Sequence, residues 1–514
     1  MKFSLPDEYD EQLLISALGD RYAIKKQRSV FENLAIYDTF DWRLFNQSLV
    51  LSASANKLTL RRLFESAIIH SIKITSPPVF IWDLPNSKLK EHLAPIIKMR
   101  ALIKLAEVYY RSIPYRILNL DEKTVARLVY EEMRPSRTKD APVLATYLGL
   151  KPVMGYPKDT RNLANRLEEA GFKISPKEDL YFKALEAVNK NPGSYSTKLK
   201  IELKPDMHSD EATRAILRFL LQVMRINEAN IEKDLDTEFL HDFRVAVRRT
   251  RSALGQIKNV FPAQTTERFK KGFAFVGKLS NQLRDLDVYL LKESIYKAML
   301  PDVLRDDIEP LFDYLRKKRS KVLQEVTNEL KSKEYLQILR DWEKFLNAPR
   351  QDSATASKAD RPVIDLARKK IYKKYRSIVK AGSMPLGNAE DDMLHALRIE
   401  CKKLRYLIEF FASLFSRKKI DVLIEQLKQM QDNLGYYNDL RVQEKYLLNI
   451  TAEIPKTGQQ SKKVLVVIGS LIGTLSSEKQ KVKETLGKTF TDFTSATNAR
   501  LFRELCALRQ QEAV

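Results

Sequence analysis

Two sets of basic side chains recur in this sequence with one spacing, and such a set could bind a chain of phosphate groups. Arginine donates bidentate, charge-assisted hydrogen bonds to phosphate, and lysine adds a point charge. A histidine contributes if it donates a hydrogen bond or becomes cationic beside bound phosphate. The pattern therefore predicts a polyanion site. Each set is a histidine followed by three bases, and the second set lies 154 positions after the first: His241, Arg244, Arg248 and Arg251, then His395, Arg398, Lys402 and Arg405.

The elements that must position these side chains are two equivalent α-helices. Within each set the spacing places all four residues along one face of a helix. An apolar stripe runs beside each face and predicts a buried side. A single helix of this kind is usually just a solvated basic face. Duplication in register favours a ligand instead, although a structural role for the two histidines stays open. The stripes are Leu240, Phe243, Val247, Leu254 and Ile257, then Leu394, Leu397, Cys401, Leu404 and Ile408.

A second pair of segments shares the same register. RDLDV at residues 284–288 aligns with NDLRV at residues 438–442. The aspartates in these segments would repel an anion, so we expect them to orient neighbouring arginines. A further basic helix is predicted at residues 361–380. Its lysines form two stripes, and the sequence does not decide which one faces a ligand.

The length of the chain predicts how many domains it has, and its net charge indicates the kind of partner. A chain of 514 residues predicts two or three domains. Lys and Arg number 89 against 66 Asp and Glu, a net charge of +23, which favours a polyanionic partner or an anionic surface. We expect an α+β domain at residues 1–204, followed by an all-α region with one half at 205–346, a polar linker at 347–361 and a second half at 362–514.

Cysteine usage and hydropathy bear on the compartment. Cys401 and Cys506 offer neither a disulfide framework nor a C-x-x-C pair. The first residues lack a signal-peptide pattern, and the longest apolar-rich run, residues 464–475, is far shorter than the roughly 20 residues that span a bilayer. These features predict a soluble cytoplasmic protein with no membrane partner.

The duplicated segments resemble the CHAD family, the conserved-histidine α-helical domain. The family pairs a His-x-x-Arg-x-x-x-[Arg/Lys] helix with a later Leu-Gly-x-x-[Arg/Asn]-Asp-Leu segment. The second copy has Leu434-Gly435 at that place, whereas the first has Ser280-Asn281. The resemblance implies two helical bundles related by a pseudo-twofold axis. It also implies a basic groove that binds inorganic polyphosphate and places the protein on polyphosphate granules.

The first 200 residues resemble the CYTH domain, an antiparallel β-tunnel that hydrolyses triphosphate with a divalent metal. The chain opens Met1-Lys2-Phe3, without the glutamates of the family's E-x-E-x-K strand, and Ser52-Ala53-Ser54 stands where active members carry Arg-x-Arg. A triphosphate tunnel needs carboxylates for its metal and bases for the phosphates. We therefore expect a degenerate domain. The remaining charged candidates are Arg61, Glu107, Arg127, Glu131 and Glu132.

Three functions follow from these patterns. The leading one is non-catalytic polyphosphate binding, with no cofactor, metal ligand or catalytic residue assigned. The alternative is a Mg²⁺- or Mn²⁺-dependent triphosphatase in the CYTH-like domain. The third is nucleic-acid binding, since Lys and Arg neutralise any phosphodiester backbone. Single-strand binders interleave aromatics with bases, yet the phenylalanines here fall on or near the apolar stripes, which argues against the third. Those residues are Phe243, Phe261, Phe410 and Phe411.

Overall fold

The computed structural model describes residues 1–64, 67–138, 140–174, 180–349, 356–382, 389–453 and 458–507. The chain divides into two compact units, Met1–Ser196 and Thr197–Val514. Part of the predicted linker, residues 350–355, lies outside the described residues.

The first unit is built on one antiparallel sheet. Its strands pair in the order β10-β1-β9-β8-β7-β3-β4-β5-β6, and β2 pairs with β7. Among the described strands β6 and β10 end the path, so the sheet is open rather than a closed barrel. The expected antiparallel sheet is thus confirmed, and it is consistent with a CYTH-like tunnel. The strands are β1 Lys2–Ser4, β2 Ala23–Lys26, β3 Val30–Thr39, β4 Leu49–Ser54, β5 Lys57–Arg62, β6 Ile68–Lys73, β7 Leu102–Leu118, β8 Thr124–Arg134, β9 Ala145–Pro152 and β10 Lys173–Ile174.

Four helices accompany the sheet. The first and third pack on a core formed with strands β7, β8 and β9, and the second covers β3, β4 and β5. Ser87 caps the second helix by accepting a hydrogen bond from the Lys90 amide, and Pro157 opens the third. The four helices are α1 Glu11–Leu18, α2 Lys88–Ile97, α3 Pro157–Glu169 and α4 Leu180–Glu186.

The second unit is all-α over its described residues. Long helices follow one another with short breaks, as the 3.6-residue period predicts. None of the helices within the described ranges has both the length and the hydropathy to cross a bilayer. The helices are α5 Ser209–Ile231, α6 Thr237–Gln256, α7 Ala263–Leu279, α8 Asn281–Leu290, α9 Glu293–Met299, α10 Glu309–Leu330, α11 Lys333–Asn347, α12 Val363–Ala381, α13 Asp391–Phe410, α14 Arg417–Ile450, α15 Gln459–Phe493 and α16 Ala496–Cys506.

The boundaries of these helices repeat in the register found in the sequence. Helices α6 and α13 each have 20 residues, and both ends of α13 lie 154 positions after those of α6. The first residues of α12 and α14 follow those of α5 and α7 by the same interval. One element differs. The first copy breaks between α7 and α8, whereas α14 runs through the corresponding positions as one helix of 34 residues.

The two copies meet in a reciprocal pair of backbone hydrogen bonds. The amide of Ser209 donates to the carbonyl of Arg361 at 2.9 Å, and the amide of Val363 donates to the carbonyl of Met207 at 2.9 Å. These two bonds exchange when the chain is shifted by one repeat. That exchange is the signature of a local twofold axis between the halves. The duplicated bundle implied by the sequence is therefore present.

Both predicted apolar stripes form the core beside the basic rows. All ten side chains are buried, with Phe243 at 1% exposure and Leu404 at 0%. In the first half, Trp342 of α11 packs edge-on against Phe269 and Phe273 of α7. Burial of the two stripes fixes the rotation of α6 and α13 about their axes, so the basic side chains of each helix lie on the side away from its stripe.

Candidate functional site

Helices α6 and α13 contact each other directly, which brings the two basic rows together. The Arg249 guanidinium donates to the Glu409 carboxylate at 2.7 Å. The Gln256 side-chain amide donates to the Lys403 carbonyl at 3.1 Å. Both bonds join equivalent elements of the two repeats. The contact explains why a row from each half can serve one surface.

Four bases from the two rows form a cluster across this contact: Arg244, Arg248, Arg398 and Lys402. Burial lowers the pKa of Arg244 to about 10, and the charge of Arg248 adds to that effect. Burial also lowers the pKa of Lys402 to about 8, with further repulsion from Arg398 and Arg248. Arg248, itself exposed, therefore lies near bases of both halves. We call these four residues the four-base cluster.

Arg244 is held in place by neutral acceptors. Its Nη1 donates to the Ser280 hydroxyl at 2.9 Å, and its Nη2 donates to the Asn281 side-chain oxygen at 2.9 Å. Both partners are neutral, so these two hydrogen bonds orient the guanidinium without neutralising its charge. Two of its five N–H donors are used, which leaves three for a ligand.

Arg398, the equivalent base in the second half, has a different environment. Leu434 and Gly435 stand at the positions of Ser280 and Asn281. Instead its Nη2 lies 3.6 Å from the Asp439 carboxylate, with 16% of the side chain exposed. Its buried Nε has no hydrogen-bond partner. Burial lowers the pKa of Arg398 while Asp439 opposes that shift. Asp439 lies 154 positions after Asp285, which acts on Arg244 in the same sense, so the two halves differ in the neutral contacts rather than in the aspartate.

The histidines open the two rows. His395 Nδ1 lies 2.7 Å from the Asn438 side-chain oxygen, with both side chains half-buried or more. In the tautomer that carries the ring proton on Nδ1, the ring donates to this oxygen. His241 is half-buried in α6. In the first copy Arg284 occupies the position of Asn438, so the two histidines have unlike surroundings.

The last base of each row differs in availability. Arg251 is exposed. Arg405 instead donates through Nε to Glu409 at 2.7 Å and through Nη1 to the Gln431 oxygen at 3.3 Å. Because Glu409 also receives Arg249, Arg405 helps to hold the contact between α6 and α13. The structure thus brings four of the eight row residues together in the four-base cluster and ties Arg405 into the contact between α6 and α13.

One aspartate of the aligned segments, Asp287, lies in an ion-pair network with an arginine. Asp287 is buried and accepts from Arg319 Nε at 2.7 Å. Arg319 also donates through its terminal nitrogens to both oxygens of Asp234, at 2.7 and 2.6 Å. Burial raises the pKa of Asp287 and Arg319 opposes that shift. This network belongs to the packing of α8 and α10.

A second group of bases lies on α12 and close to it. Lys370 and Lys374 are half-buried, whereas Lys369 and Lys373 are exposed. Lys374 pairs with Glu400 of α13 at 2.6 Å. Burial lowers the pKa of Lys370 to about 8, and nearby lysines add to the shift. The stripe that contains Lys370 therefore faces the other helices. The lysine cluster consists of Lys258, Lys358, Lys370, Lys373 and Lys374.

The first unit holds a cavity of ≈710 Å³, here called the sheet cavity. Arg61 and Glu131 line it, so two of the five charged candidates face the same space. Glu107 pairs with Lys104 at 2.6 Å, and Arg127 is exposed. Glu132, on the opposite side of β8, accepts from Arg134 at 2.7 Å.

The walls of the sheet cavity combine aliphatic and polar side chains. Its walls carry Ile36, Val50 and Val108 on successive strands, and Ser52 lines it at one of the positions expected for a base. Within the described ranges, no group of three or more His, Cys, Asp or Glu residues is placed to hold a metal ion. The charged residues that line it are Lys2, Arg61, Glu131 and Lys151.

Several residues of the site were not predicted from the sequence. Arg249 and Glu409 join the halves, and Asp439 faces Arg398. Ser280 and Asn281 were noticed as a departure from the family pattern, and that departure was the available signal for the Arg244 contacts. Nothing in the sequence distinguished Arg249 from its neighbour Arg248 as an interface residue.

The second unit is a duplicated all-α fold in which one basic helix from each half lies beside the other. Residues 215–448 match the family model of the CHAD domain, and the protein therefore carries a CHAD domain. The match begins inside α5 and ends inside α14, so it includes both basic rows.

Two solved structures are similar to this chain. The CHAD domain from the plant Ricinus communis is 24% identical, with a TM-score of 0.48, and the similarity covers 56% of this chain and 94% of that one. PptA from Streptomyces chartreusis is 14% identical, with a TM-score of 0.42, over 55% of this chain and 99% of that one. No curated protein matched the chain.

Proposed function

We propose that the helical unit binds inorganic polyphosphate through the two basic rows, and that it does so without catalysis. The observation that carries this proposal is the position of Arg248. It belongs to the first row, yet it acts electrostatically on Arg398 and Lys402 of the second. One continuous anion could therefore contact bases of both halves at once.

The electrostatics of the cluster support an anionic ligand. Repulsion between the like charges and their partial desolvation both raise the free energy of the unliganded site. The attraction of a bound polyanion offsets both effects. The same repulsion has no evident use in a purely structural helix contact, which Arg249 and Glu409 already supply. The preference for polyphosphate over other polyanions rests on the presence of the CHAD domain, and we expect the protein to associate with polyphosphate granules.

Binding to long-chain polyphosphate, measured by calorimetry on the full chain, tests the proposal. Reversing the charge of the two central bases, Arg248→Glu with Lys402→Glu, should lower affinity at least a hundredfold, because two attractive contacts become repulsive. The matched control is Lys317→Glu with Lys321→Glu, an equal change in net charge on exposed lysines of α10. Equal losses in the two variants would contradict the proposal, since only bulk charge would then matter.

Competition separates polyphosphate from nucleic acid. The full chain is bound to labelled polyphosphate and challenged with unlabelled polyphosphate or single-stranded RNA at matched phosphate concentration and salt. We expect RNA to compete more weakly, because the phenylalanines beside the basic rows lie in the core, as Phe243 and Phe410 do, and are not available to stack on bases. Stronger competition by RNA would favour a nucleic-acid ligand.

A further inference from the structure

The two side chains that hold Arg405 have glycines at the equivalent positions of the first copy. Glycine has no side chain to accept a hydrogen bond, so Arg251 makes neither of the contacts that tie Arg405 into the interface between α6 and α13. The last bases of the two rows therefore differ because of their neighbours rather than their own type. The equivalent pairs, 154 positions apart, are Gly255 with Glu409 and Gly277 with Gln431.

Gly277 also lets Arg251 lie directly against α7. A Cβ added at this glycine would meet Nη1 of Arg251 at 3.2 Å and its Cδ at 3.9 Å. Arg251 is nevertheless exposed. Four residues after the glycine, the side-chain oxygen of Asn281 accepts from Arg244 at 2.9 Å. Two bases of the first row therefore contact the same stretch of chain, the end of α7 and the start of α8.

Two exposed lysines of α7 continue the basic surface at this place. Lys278 lies between Gly277 and Asn281 in the sequence. Lys271 precedes it by seven residues, which places both lysines on one face of the helix. Seven residues of α-helix span roughly 10 Å. The lysines therefore reach that far along α7 from the part of the helix that Arg251 contacts.

The second copy carries acids at both of these lysine positions. Glu425 stands 154 residues after Lys271, and Asp432 stands 154 residues after Lys278. Both acids are exposed on α14, where they would repel a chain of phosphates. A lysine pair on a single helix is usually only a solvated face. Here the lysines and the glycines favour an anion over the first half, whereas the acids and the engaged Arg405 disfavour one over the second.

We propose that a polyphosphate chain leaves the four-base cluster in one direction only, over α7 of the first half. The chain passes three bases there, which we call the α7 track: Arg251, Lys278 and Lys271. This proposal rests on polyphosphate binding by the basic rows and adds two ligand contacts on α7. A short chain fills the four-base cluster, and a long chain also occupies the α7 track.

Calorimetry on the full chain with tripolyphosphate and with long-chain polyphosphate separates the α7 track from the four-base cluster. Lys271→Glu with Lys278→Glu gives the first copy carboxylates at the positions where the second copy has them. Long chains should bind at least tenfold more weakly to this variant, because each lysine contact becomes repulsive. Tripolyphosphate affinity should stay within threefold. The matched control, Lys317→Glu with Lys321→Glu on α10, should change neither affinity by more than threefold.

A second pair of variants tests the glycine beside Arg251. Gly255→Glu adds a carboxylate four residues after Arg251, the spacing at which Glu409 engages its own arginine. A Cβ built at Gly255 meets no atom of the described residues within 4 Å, so the side chain has room. The new carboxylate should pair with Arg251 and weaken long-chain binding about fivefold. Gly255→Gln has the same size without the charge and should stay within twofold of the unmodified protein.

Two results would overturn the α7 track. One is a Lys271→Glu, Lys278→Glu variant that weakens long chains no more than the α10 control does, or that weakens tripolyphosphate equally. The other is equal long-chain affinity of Gly255→Glu and Gly255→Gln. Failure of polyphosphate binding by the basic rows gives a different result, because Arg248→Glu with Lys402→Glu would then match the α10 control for both chain lengths.

Discussion

The lowered pKa of Lys402 predicts that polyphosphate affinity falls as pH rises through about 8. In the free protein, burial and the charges of Arg398 and Arg248 lower this pKa from 10.5 to about 8. A bound phosphate chain would place negative charge beside the ammonium and return its pKa toward 10.5. Binding above pH 8 must then take up a proton, and affinity is lost as that proton becomes scarcer.

The change in affinity is limited because binding takes up one proton over a window of at most 2.5 pH units, between the lowered and the ordinary pKa of Lys402. Linkage limits the loss to about tenfold per pH unit, and solvent screening reduces it, so we expect about a tenfold loss between pH 7.5 and 9.5. The stability of the free protein depends on pH with the opposite sign. The unfolded chain keeps the Lys402 proton to higher pH than the folded chain does, so the free protein gains stability as pH rises through the same window.

Calorimetry in two buffers of unlike ionisation enthalpy measures both the affinity and the proton uptake. Terminal phosphates, with a pKa of about 6, are already ionised in this range. Lys402→Arg keeps the charge but does not titrate, so it should remove most of the pH dependence. Lys370→Arg is the matched control, because Lys370 has a similarly lowered pKa in the lysine cluster. If affinity is flat with pH, or if Lys370→Arg alone removes the dependence, the assignment of Lys402 to the ligand is refuted.

Three further predictions concern the neighbours of the cluster. Asp439→Asn should strengthen polyphosphate binding about threefold to tenfold in calorimetry, because the facing arginine loses its counterion; weaker binding would contradict this. Ser280→Ala with Asn281→Ala should weaken binding by a similar factor and make the binding entropy less favourable, since Arg244 must then be ordered by the ligand. Unchanged affinity would show that the two hydrogen bonds are dispensable. Trp342→Ala should lower the free energy of unfolding by about 3–5 kcal/mol in urea titrations without altering affinity per folded molecule, because the buried indole leaves a cavity.

The helical half of the fold could be predicted from periodicity because its signals are long and repeated. Offsets of three, four and seven identify α6 and α13, and all ten stripe residues are buried as expected. Their equal lengths follow from one ancestral segment having been copied. The strands were harder to delimit. The structure has β4 and β5 joined by a turn of only two residues, Ala55 and Asn56. A two-residue turn leaves little composition signal.

The sequence predicts the members of the candidate site but not the contacts among them. The rows were visible because each base repeats 154 positions later. Which bases share a cluster depends on how α6 crosses α13, and that geometry is set by side-chain packing between distant segments. Arg405 carries the same offset as Arg251, yet Glu409 and Gln431 engage only Arg405. Local spacing cannot encode such a difference.

The reciprocal hydrogen bonds between the halves have an evolutionary reading. Ser209 and Val363 exchange roles about an axis that two identical subunits would share in a homodimer. Joining such subunits in one gene allows each face to mutate alone, whereas in a homodimer every substitution appears twice. The Ser280-Asn281 pair opposite Leu434-Gly435 is a change of this kind, and it gives Arg244 two hydrogen bonds for which the second copy has no side-chain acceptors at these positions. A symmetric ancestor could not have acquired that asymmetry.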